Sequence, residues 1–159
     1  MPRLPASFIF NTMARVNRLA PPHNPLSRFT PLRIICMQGL KILLVEDDGD
    51  MRGLYCYLLA KEGCHVKAVR NGLEAITELE ENRPDIVITD IAMPVFGGLH
   101  LIKAIRANDD FADLPILAVT AFSEHFHELA IEAGANHAIG KPTEVTTLCE
   151  AIRFVVPQF

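Results

Sequence analysis

Short apolar runs alternate with longer segments of helical period along the chain after Leu40. Each run is rich in Val, Ile, Leu or Ala and is bounded by polar, Gly or Pro residues, which predicts a β-strand. The first, third and fourth runs are too apolar for either face to lie in water, which is typical of a parallel sheet. The five predicted strands span residues 41–46, 64–69, 85–90, 114–120 and 136–141.

Each predicted strand is followed by a segment that favours an amphipathic helix. The segment after the first strand places Leu54, Leu58 and Leu59 on one face. In the fourth segment, Ser123 is the expected N-cap and Gly134 is expected to end the helix. The five predicted helices span residues 50–63, 71–82, 98–108, 123–134 and 143–156.

The second predicted helix separates apolar from acidic positions. Leu73, Ile76 and Leu79 share one face. Strands that alternate with helices predict βαβ units, so the sequence favours a doubly wound α/β fold, (βα)₅, with a five-stranded parallel sheet and helices on both faces. The acids of the second helix lie elsewhere on its surface: Glu74, Glu78 and Glu81.

Polar residues stand where four of the predicted strands end. Because the carboxyl ends of parallel strands line the ligand crevice of an open sheet, we expect these groups to meet at one edge. Taken singly, each has an ordinary explanation as a helix start, a strand residue or a surface charge. Strand by strand, the residues are Glu46, Asp47 and Asp48, then Asp90, then Thr120, then Lys141 followed by Pro142.

This set of side chains suits phosphoryl chemistry. Several carboxylates in close contact repel one another and raise one another's pKa values unless a divalent cation lies among them. Oxygen ligands without His or Cys favour Mg²⁺. Lys141 and Thr120 carry the groups that hold phosphoryl oxygens, and Asp90 is then a candidate nucleophile for phosphorus.

The composition favours one globular domain in a reducing compartment. Half of the residues are apolar, and the four cysteines form no CxxC pair, so free thiols and a cytoplasmic location are expected. All 19 acidic residues lie at or after Glu46, and the part from Met37 onward carries a formal charge of −9. Such a surface disfavours direct binding to nucleic acid.

Residues 1–38 form a leader with six prolines and no acid, which predicts a disordered or loosely attached segment before a domain at residues 39–159. An organelle transit peptide is an alternative, against which the prolines argue mildly. An over-long start assignment, with Met37 as the natural first residue, is the simplest explanation. No apolar run approaches the length of a membrane span, so no membrane partner is expected.

Four motifs in this order resemble the receiver domain of two-component response regulators. They are "ILLVEDD", "DIVITDIAMPVFGG", "ILAVTA" and "EAGANHAIGKP", and the resemblance covers Lys41 to about Val156. The combination of four ordered motifs is specific. It implies a flavodoxin-like fold with the strand order 2-1-3-4-5.

The resemblance also implies a role for each residue at the expected crevice. Asp90 matches the acceptor of a phosphoryl group from a histidine kinase or a phosphotransfer protein. Mg²⁺ is the implied cofactor, bound by Asp90 and Asp47 directly, by Glu46 through water and by the backbone carbonyl of Ala92. The other matched positions bind the phosphoryl group, act in the switch or carry a cis peptide bond: Thr120, Ala121, Lys141 and Pro142.

The chain departs from the family pattern at several positions. Ala138 stands where the family usually has an aromatic switch residue, so Phe122 or Phe126 is a candidate substitute, although either alone is explained as core packing. Gly97 replaces a frequent Asp, a change expected to affect loop flexibility. Ala92 and Phe122 cannot position an attacking water, so slow autodephosphorylation is expected.

The expected function is a single-domain phosphoacceptor switch, because the chain ends shortly after Pro142. Its output is then contact with an unidentified protein, and it is not an enzyme with a separate substrate. A monomer or weak dimer is expected. A phosphorylation-independent adaptor is the alternative that Ala138 favours. A Mg²⁺-dependent aspartyl-phosphate phosphohydrolase is disfavoured, because that class needs a second acid where this chain has Ala92.

Overall fold

The computed structural model describes residues 37–121, 124–141 and 143–156, in which five strands and five helices alternate. The order confirms the (βα)₅ prediction, although each strand is one or two residues shorter than predicted. The strands are β1 (Lys41–Val45), β2 (His65–Val69), β3 (Ile86–Asp90), β4 (Ile116–Thr120) and β5 (His137–Gly140). The helices are α1 (Gly49–Lys61), α2 (Gly72–Glu81), α3 (Gly98–Arg106), α4 (Glu124–Ala133) and α5 (Val145–Val155).

The strands form one parallel sheet in the order β2-β1-β3-β4-β5. This is the order that the receiver-domain resemblance implies. The register pairs Val45 with Thr89, and Asp90 with Val119. The carboxyl ends of β1, β3 and β4 are therefore nearly level, so residues that follow these strands lie at one edge of the sheet.

Two apolar layers cover the faces of the sheet. One lies against α1 and α5, and the other against α2, α3 and α4. None of the five described helices has the length and apolarity that a membrane span requires. Buried residues of the first layer include Leu44, Ile88, Leu59, Leu148 and Ile152, and those of the second include Leu43, Val87, Leu79, Leu101 and Ile105.

The prediction for the buried face of α1 is wrong in part. Leu59 is fully buried as expected, but Leu54 is 47% exposed and Tyr55 is 2% exposed. Tyr55 and Leu59 lie four residues apart and so share the face that meets the sheet. The aromatic ring of Tyr55 occupies core volume that the sequence pattern assigned to leucine.

The prediction for α2 is also wrong in part. Leu73 is 53% exposed, whereas Glu78 is 8% exposed. The Glu78 carboxylate tolerates burial because it forms an ion pair with Lys67 of β2 at 3.0 Å and accepts a hydrogen bond from Asn82 at 3.0 Å. A cross-element partner of this kind overrides the helical pattern, which contains no information about the neighbouring strand.

The end of α4 confirms the prediction at Gly134. Gly134 directly follows the helix with a φ of +112°, in the left-handed region that glycine favours. A Cβ atom at this position would lie 2.7 Å from Cγ of Arg106. Both backbone conformation and space therefore require glycine here. Ser123, the expected N-cap of α4, lies outside the described residues.

Arg106 joins α3 to the loops that precede β4 and β5. Its Nε donates to the carbonyl of Gly134 at 2.8 Å, and its Nη1 donates to the carbonyl of Leu114 at 2.7 Å. Its Nη2 donates to Asn136 Oδ1 at 2.8 Å. One guanidinium therefore binds acceptors in two loops, and a neutral side chain would remove this donor from the Gly134 and Leu114 carbonyls.

We predict that Arg106→Met lowers the free energy of unfolding by about 2 to 4 kcal/mol, because the carbonyls of Gly134 and Leu114 lose their donor at partly buried positions. Urea unfolding followed by circular dichroism measures the change. Lys103→Met, at an exposed position of the same helix, is the matched control and is expected to change stability little. Equal losses in the two variants would contradict the role assigned to Arg106.

Candidate functional site

Three carboxylates meet where β1 and β3 end. Glu46 directly follows β1 and Asp90 is the last residue of β3; because Val45 pairs with Thr89, the next residues of the two strands lie side by side. One carboxylate oxygen from each of Glu46, Asp47 and Asp90 lies within 4.8 Å of the others. Glu46 and Asp90 are buried, and Asp47 is exposed. The cluster therefore combines two carboxylates held by the core with one that faces water.

The ammonium of Lys141 lies between the two buried carboxylates. Its Nζ donates to Glu46 Oε2 at 2.5 Å and to Asp90 Oδ2 at 2.8 Å. Lys141 directly follows β5, and its backbone N–H donates to the carbonyl of Thr120 at 2.8 Å. Only 11% of the lysine side chain is exposed. The sheet thus places a cation in contact with two anions that come from distant parts of the chain.

Burial and pairing have opposite effects on the ionisation of this group. Burial raises the pKa of Glu46, and although the Lys141 hydrogen bond and charge lower it, the net pKa lies above the usual value. Burial alone would lower the pKa of Lys141. The hydrogen bonds and charges of Asp90 and Glu46 together outweigh burial, so the pKa of Lys141 is raised. The lysine therefore stays charged at neutral pH.

In the acidic segment after β1, Asp48 caps a helix, whereas Glu46 and Asp47 belong to the carboxylate cluster. Asp48 is the N-cap of α1, and its Oδ1 accepts the N–H of Met51 at 2.8 Å. Arg52 donates from Nη1 to the carbonyls of Glu46 at 2.8 Å and Asp47 at 3.1 Å. The helix start and Arg52 together fix the backbone that presents the site carboxylates. Arg52 was not among the site residues predicted from the sequence, because hydrogen bonds to backbone acceptors leave no motif.

The loop after β3 holds Asp90 by its backbone. Asp90 Oδ1 accepts the N–H of Ala92 at 3.1 Å. A Cβ atom at Gly98 would lie 2.1 Å from the carbonyl oxygen of Asp90, so this close approach requires glycine. Val95 has a φ of +70° and is 89% exposed, an unfavourable combination for a β-branched residue. Gly98 is therefore the glycine that the site geometry requires, whereas a Cβ at Gly97 would lie 3.1 Å from the nearest atom.

The other predicted site residues lie along the same edge or outside the described residues. Thr120 is fully buried at the end of β4, one residue beyond the Val119 that pairs with Asp90. Ala121 follows it and is exposed. Ala138 of β5 and Phe126 of α4 are half-buried and pack against the same apolar layer. Two predicted residues are not among those described: Phe122 and Pro142.

We predict that Lys141→Met lowers the free energy of unfolding by about 2 to 4 kcal/mol at about pH 7.5, because two buried carboxylates lose their counter-ion. The pKa of Glu46 is then expected to rise further above its value in the unfolded chain. At pH values above the ordinary carboxyl range, the folded state of Lys141→Met then binds more protons than its unfolded state. The stability of the variant relative to the unmutated protein therefore recovers as the pH falls to about 5.5.

Urea unfolding at the two pH values measures this recovery. Arg70→Met removes an exposed ion pair with Glu74 and is the matched control, for which no such recovery is expected. A loss that is the same at both pH values would show that Lys141 does not neutralise buried carboxylates.

Comparison with known proteins places this geometry in a family. The model of the response regulator receiver domain matches residues 42–153. The polar-differentiation response regulator DivK of Brucella anthropi is 34% identical over 113 residues, which cover 70% of this chain and 92% of that protein. An uncharacterized 14.6 kDa protein of Leptolyngbya boryana is 33% identical over 115 residues, covering 72% of this chain and 88% of that protein.

Solved structures give the same assignment. A putative response regulator from Chloroflexus aurantiacus superposes with a TM-score of 0.73 at 29% identity, covering 76% of this chain and 99% of that chain. The receiver domain of sensor histidine kinase PA1611 from Pseudomonas aeruginosa, solved with a magnesium ion coordinated in its active-site cleft, has a TM-score of 0.70 at 29% identity over 75% of this chain and 98% of that chain. The chain therefore belongs to the response regulator receiver domains of two-component systems.

Proposed function

We propose that the protein is a phosphoacceptor switch in which Asp90 receives a phosphoryl group from a histidine kinase or a phosphotransfer protein. One observation carries the proposal: Asp90 Oδ2 accepts a hydrogen bond from the Lys141 ammonium at 2.8 Å, beside the carboxylates of Glu46 and Asp47. A buried carboxylate at the end of a rigid strand has a fixed direction of attack. Its cationic neighbour is placed to stabilise charge that develops on a phosphoryl group.

The donor set fits Mg²⁺. The three carboxylates offer oxygen atoms alone, and the exposed side of Asp47 leaves room for the waters that this ion retains. We assign Asp47 and Asp90 as direct ligands, Glu46 as a ligand through water and the Ala92 carbonyl as a further ligand. When bound, Mg²⁺ neutralises charge on the phosphoryl oxygens. The magnesium in the related Pseudomonas aeruginosa domain supports this assignment.

The transfer replaces a phosphorus–nitrogen bond with a phosphorus–oxygen bond. A carboxylate oxygen of Asp90 supplies the electron pair to phosphorus, the bond to the donor imidazole breaks, and the departing nitrogen keeps its electron pair. The loose transition state needs in-line placement and charge neutralisation more than covalent assistance. β3 fixes the position of Asp90, and Lys141 supplies a positive charge at the reacting carboxylate.

We further propose that phosphorylation changes the partner of Lys141. The phosphoryl group adds negative charge and strong acceptors next to Asp90, which compete with Glu46 for the ammonium. The backbone N–H of Lys141 donates a hydrogen bond to the Thr120 carbonyl, so a shift of the Lys141 backbone acts on the end of β4. Thr120 and the backbone of Ala121 are the proposed further ligands of the phosphoryl group. The expected result is a changed surface near α4 and β5.

The proposed output is a contact with another protein in the cytoplasm. The acidic charge of the part from Met37 onward disfavours nucleic acid as the direct partner. Ala92 offers no side chain that could orient a water toward phosphorus, so slow loss of the phosphoryl group is proposed. Because Ala138 supplies no aromatic ring, Phe126, which packs against the same apolar layer, is a candidate to report the change. A monomer or weak dimer suits this role.

Incubation with Mg²⁺ and acetyl phosphate tests the proposed function. We expect intact-mass spectra to show one added phosphoryl group in the native sequence and none in Asp90→Asn, because that variant lacks the nucleophile. Asp109→Asn, at an exposed position, is the matched control and is expected to be modified like the native sequence. Absence of the adduct in the native sequence would favour a phosphorylation-independent adaptor.

Lys141→Met is expected to have opposite effects on metal binding and on phosphorylation. Removal of the ammonium leaves Glu46 and Asp90 available to Mg²⁺ and removes a positive charge that repels the ion. The Mg²⁺ affinity is therefore expected to rise by roughly 3- to 10-fold. Loss of its charge at the reacting carboxylate is expected to slow phosphorylation by at least about 10-fold. Calorimetric titration and initial rates with acetyl phosphate measure the two effects, with Lys103→Met as the control. A Mg²⁺ affinity and a phosphorylation rate that both rise, both fall or both stay unchanged in Lys141→Met would contradict the role proposed for Lys141.

A further inference from the structure

The Asp47 carboxylate differs from the other two carboxylates of the cluster in how it is held. Glu46 and Asp90 are buried, and each accepts a hydrogen bond from the Lys141 ammonium. Asp47 is exposed, and its carboxylate accepts no hydrogen bond from the residues that the structure describes. A metal ion that binds an unrestrained carboxylate must order it, which costs conformational entropy. The placement of this carboxylate therefore depends on the backbone of Asp47.

The guanidinium of Arg52 restrains that backbone on both sides of Asp47. Its Nη1 donates to the carbonyl of Glu46 at 2.8 Å, in the peptide unit before the Asp47 Cα atom. It also donates to the carbonyl of Asp47 at 3.1 Å, in the peptide unit after that atom. Because each peptide unit is planar, the two hydrogen bonds orient both planes and so restrict φ and ψ of Asp47. These two angles set the direction in which the Asp47 side chain leaves the backbone.

The charge of Arg52 and its hydrogen bonds have opposite expected effects on a metal ion at the cluster. A Cβ atom at Gly49 would lie 3.7 Å from Arg52 Nη2, so the guanidinium lies along the segment that joins β1 to α1. Its positive charge repels Mg²⁺, whereas a restrained Asp47 favours Mg²⁺ binding. The sign of the change in affinity when Arg52 is replaced therefore shows which effect is larger.

We propose that Arg52 is a positioning residue for the metal site: its two hydrogen bonds direct the Asp47 carboxylate toward the oxygen atoms of Glu46 and Asp90, which lie within 4.8 Å of it. The proposal rests on the Mg²⁺ site proposed above. In this role Arg52 acts through the backbone of Asp47 and does not bind the ion. Groups that hold metal ligands in this way commonly change metal affinity by roughly 10- to 100-fold.

Mg²⁺ titrations of the ¹⁵N-labelled full chain, followed by nuclear magnetic resonance, test the proposal in Arg52→Met, Asp47→Asn and the double variant. Amide shifts give the dissociation constants, and melting temperatures without Mg²⁺ record the stability of each variant. Arg52→Gln is a second neutral variant and is expected to behave like Arg52→Met, so the test does not depend on the folding of one variant.

Arg106→Met is the matched control for loss of a positive charge and for loss of stability. It removes a guanidinium that binds carbonyls away from the cluster. We expect it to lower the melting temperature and to keep the Mg²⁺ affinity within about 2-fold of that of the unmutated protein, because its charge is screened at that distance.

We expect Arg52→Met to weaken Mg²⁺ binding by about 10-fold, although the substitution removes a positive charge. In the Asp47→Asn background, the same substitution is expected to leave the affinity unchanged or to raise it by up to about 3-fold. Only the effect of the charge remains there, because the side chain that Arg52 positions no longer carries the charged ligand.

A failure of the unmutated protein to bind Mg²⁺ would overturn the proposed metal site and this proposal together. Three results would overturn the role of Arg52 alone. The first is an unchanged or higher Mg²⁺ affinity in the neutral variants, which would show that the charge outweighs the hydrogen bonds. The second is an equal loss of affinity in both backgrounds, which would show that Arg52 does not act through Asp47. The third is an equal loss in Arg106→Met, which would attribute the change to stability.

Discussion

The contact of one lysine ammonium with two buried carboxylates is the interaction on which the functional edge depends. Glu46 and Asp90 lie at the ends of neighbouring strands, and the burial of both carboxylates is costly without the Lys141 ammonium at 2.5 and 2.8 Å. Under the proposed function, an anion added at Asp90 would compete for an ammonium that is already in place. Under that proposal, the stability of the resting protein and its response to a phosphoryl group both depend on this cation.

The fold supplies this contact through the alignment of strand ends. Parallel pairing brings the residues after β1, β3 and β5 to one edge, and the N-cap at Asp48 with the Arg52 guanidinium fixes the acidic segment after β1. Other charged groups serve the scaffold. Glu78 pairs with Lys67 across α2 and β2, and Arg106 binds carbonyls around β4. We propose that the charges at the functional edge differ from these because they exchange their partners for a metal ion and a phosphoryl group.

The sequence predicted the sheet, the helices and the meeting of Glu46, Asp47, Asp90 and Lys141, because strand ends follow directly from the apolar runs. The apolar runs alone did not separate Asp47 from Asp48, since a helix cap and a metal ligand use the same side chain and differ only in which N–H or ion they face. The family resemblance was needed to single out Asp47. The buried faces of α1 and α2 were partly wrong at Leu54 and Glu78, because burial there depends on neighbours that helical period does not encode. The burial of Tyr55 had no sequence signal, since it arises from packing against the sheet.

We propose that Lys141 exchanges Glu46 for the phosphoryl group on Asp90. Nuclear magnetic resonance of the ¹⁵N-labelled lysine ammonium tests it most directly, with Lys141→Met used to assign the signal. In the resting protein we expect a slowly exchanging Lys141 signal that is altered by Glu46→Gln. After Mg²⁺ and beryllofluoride are added, the signal is expected to move and to become insensitive to Glu46→Gln. A signal that stays in place, or that remains sensitive to Glu46→Gln, would contradict the account.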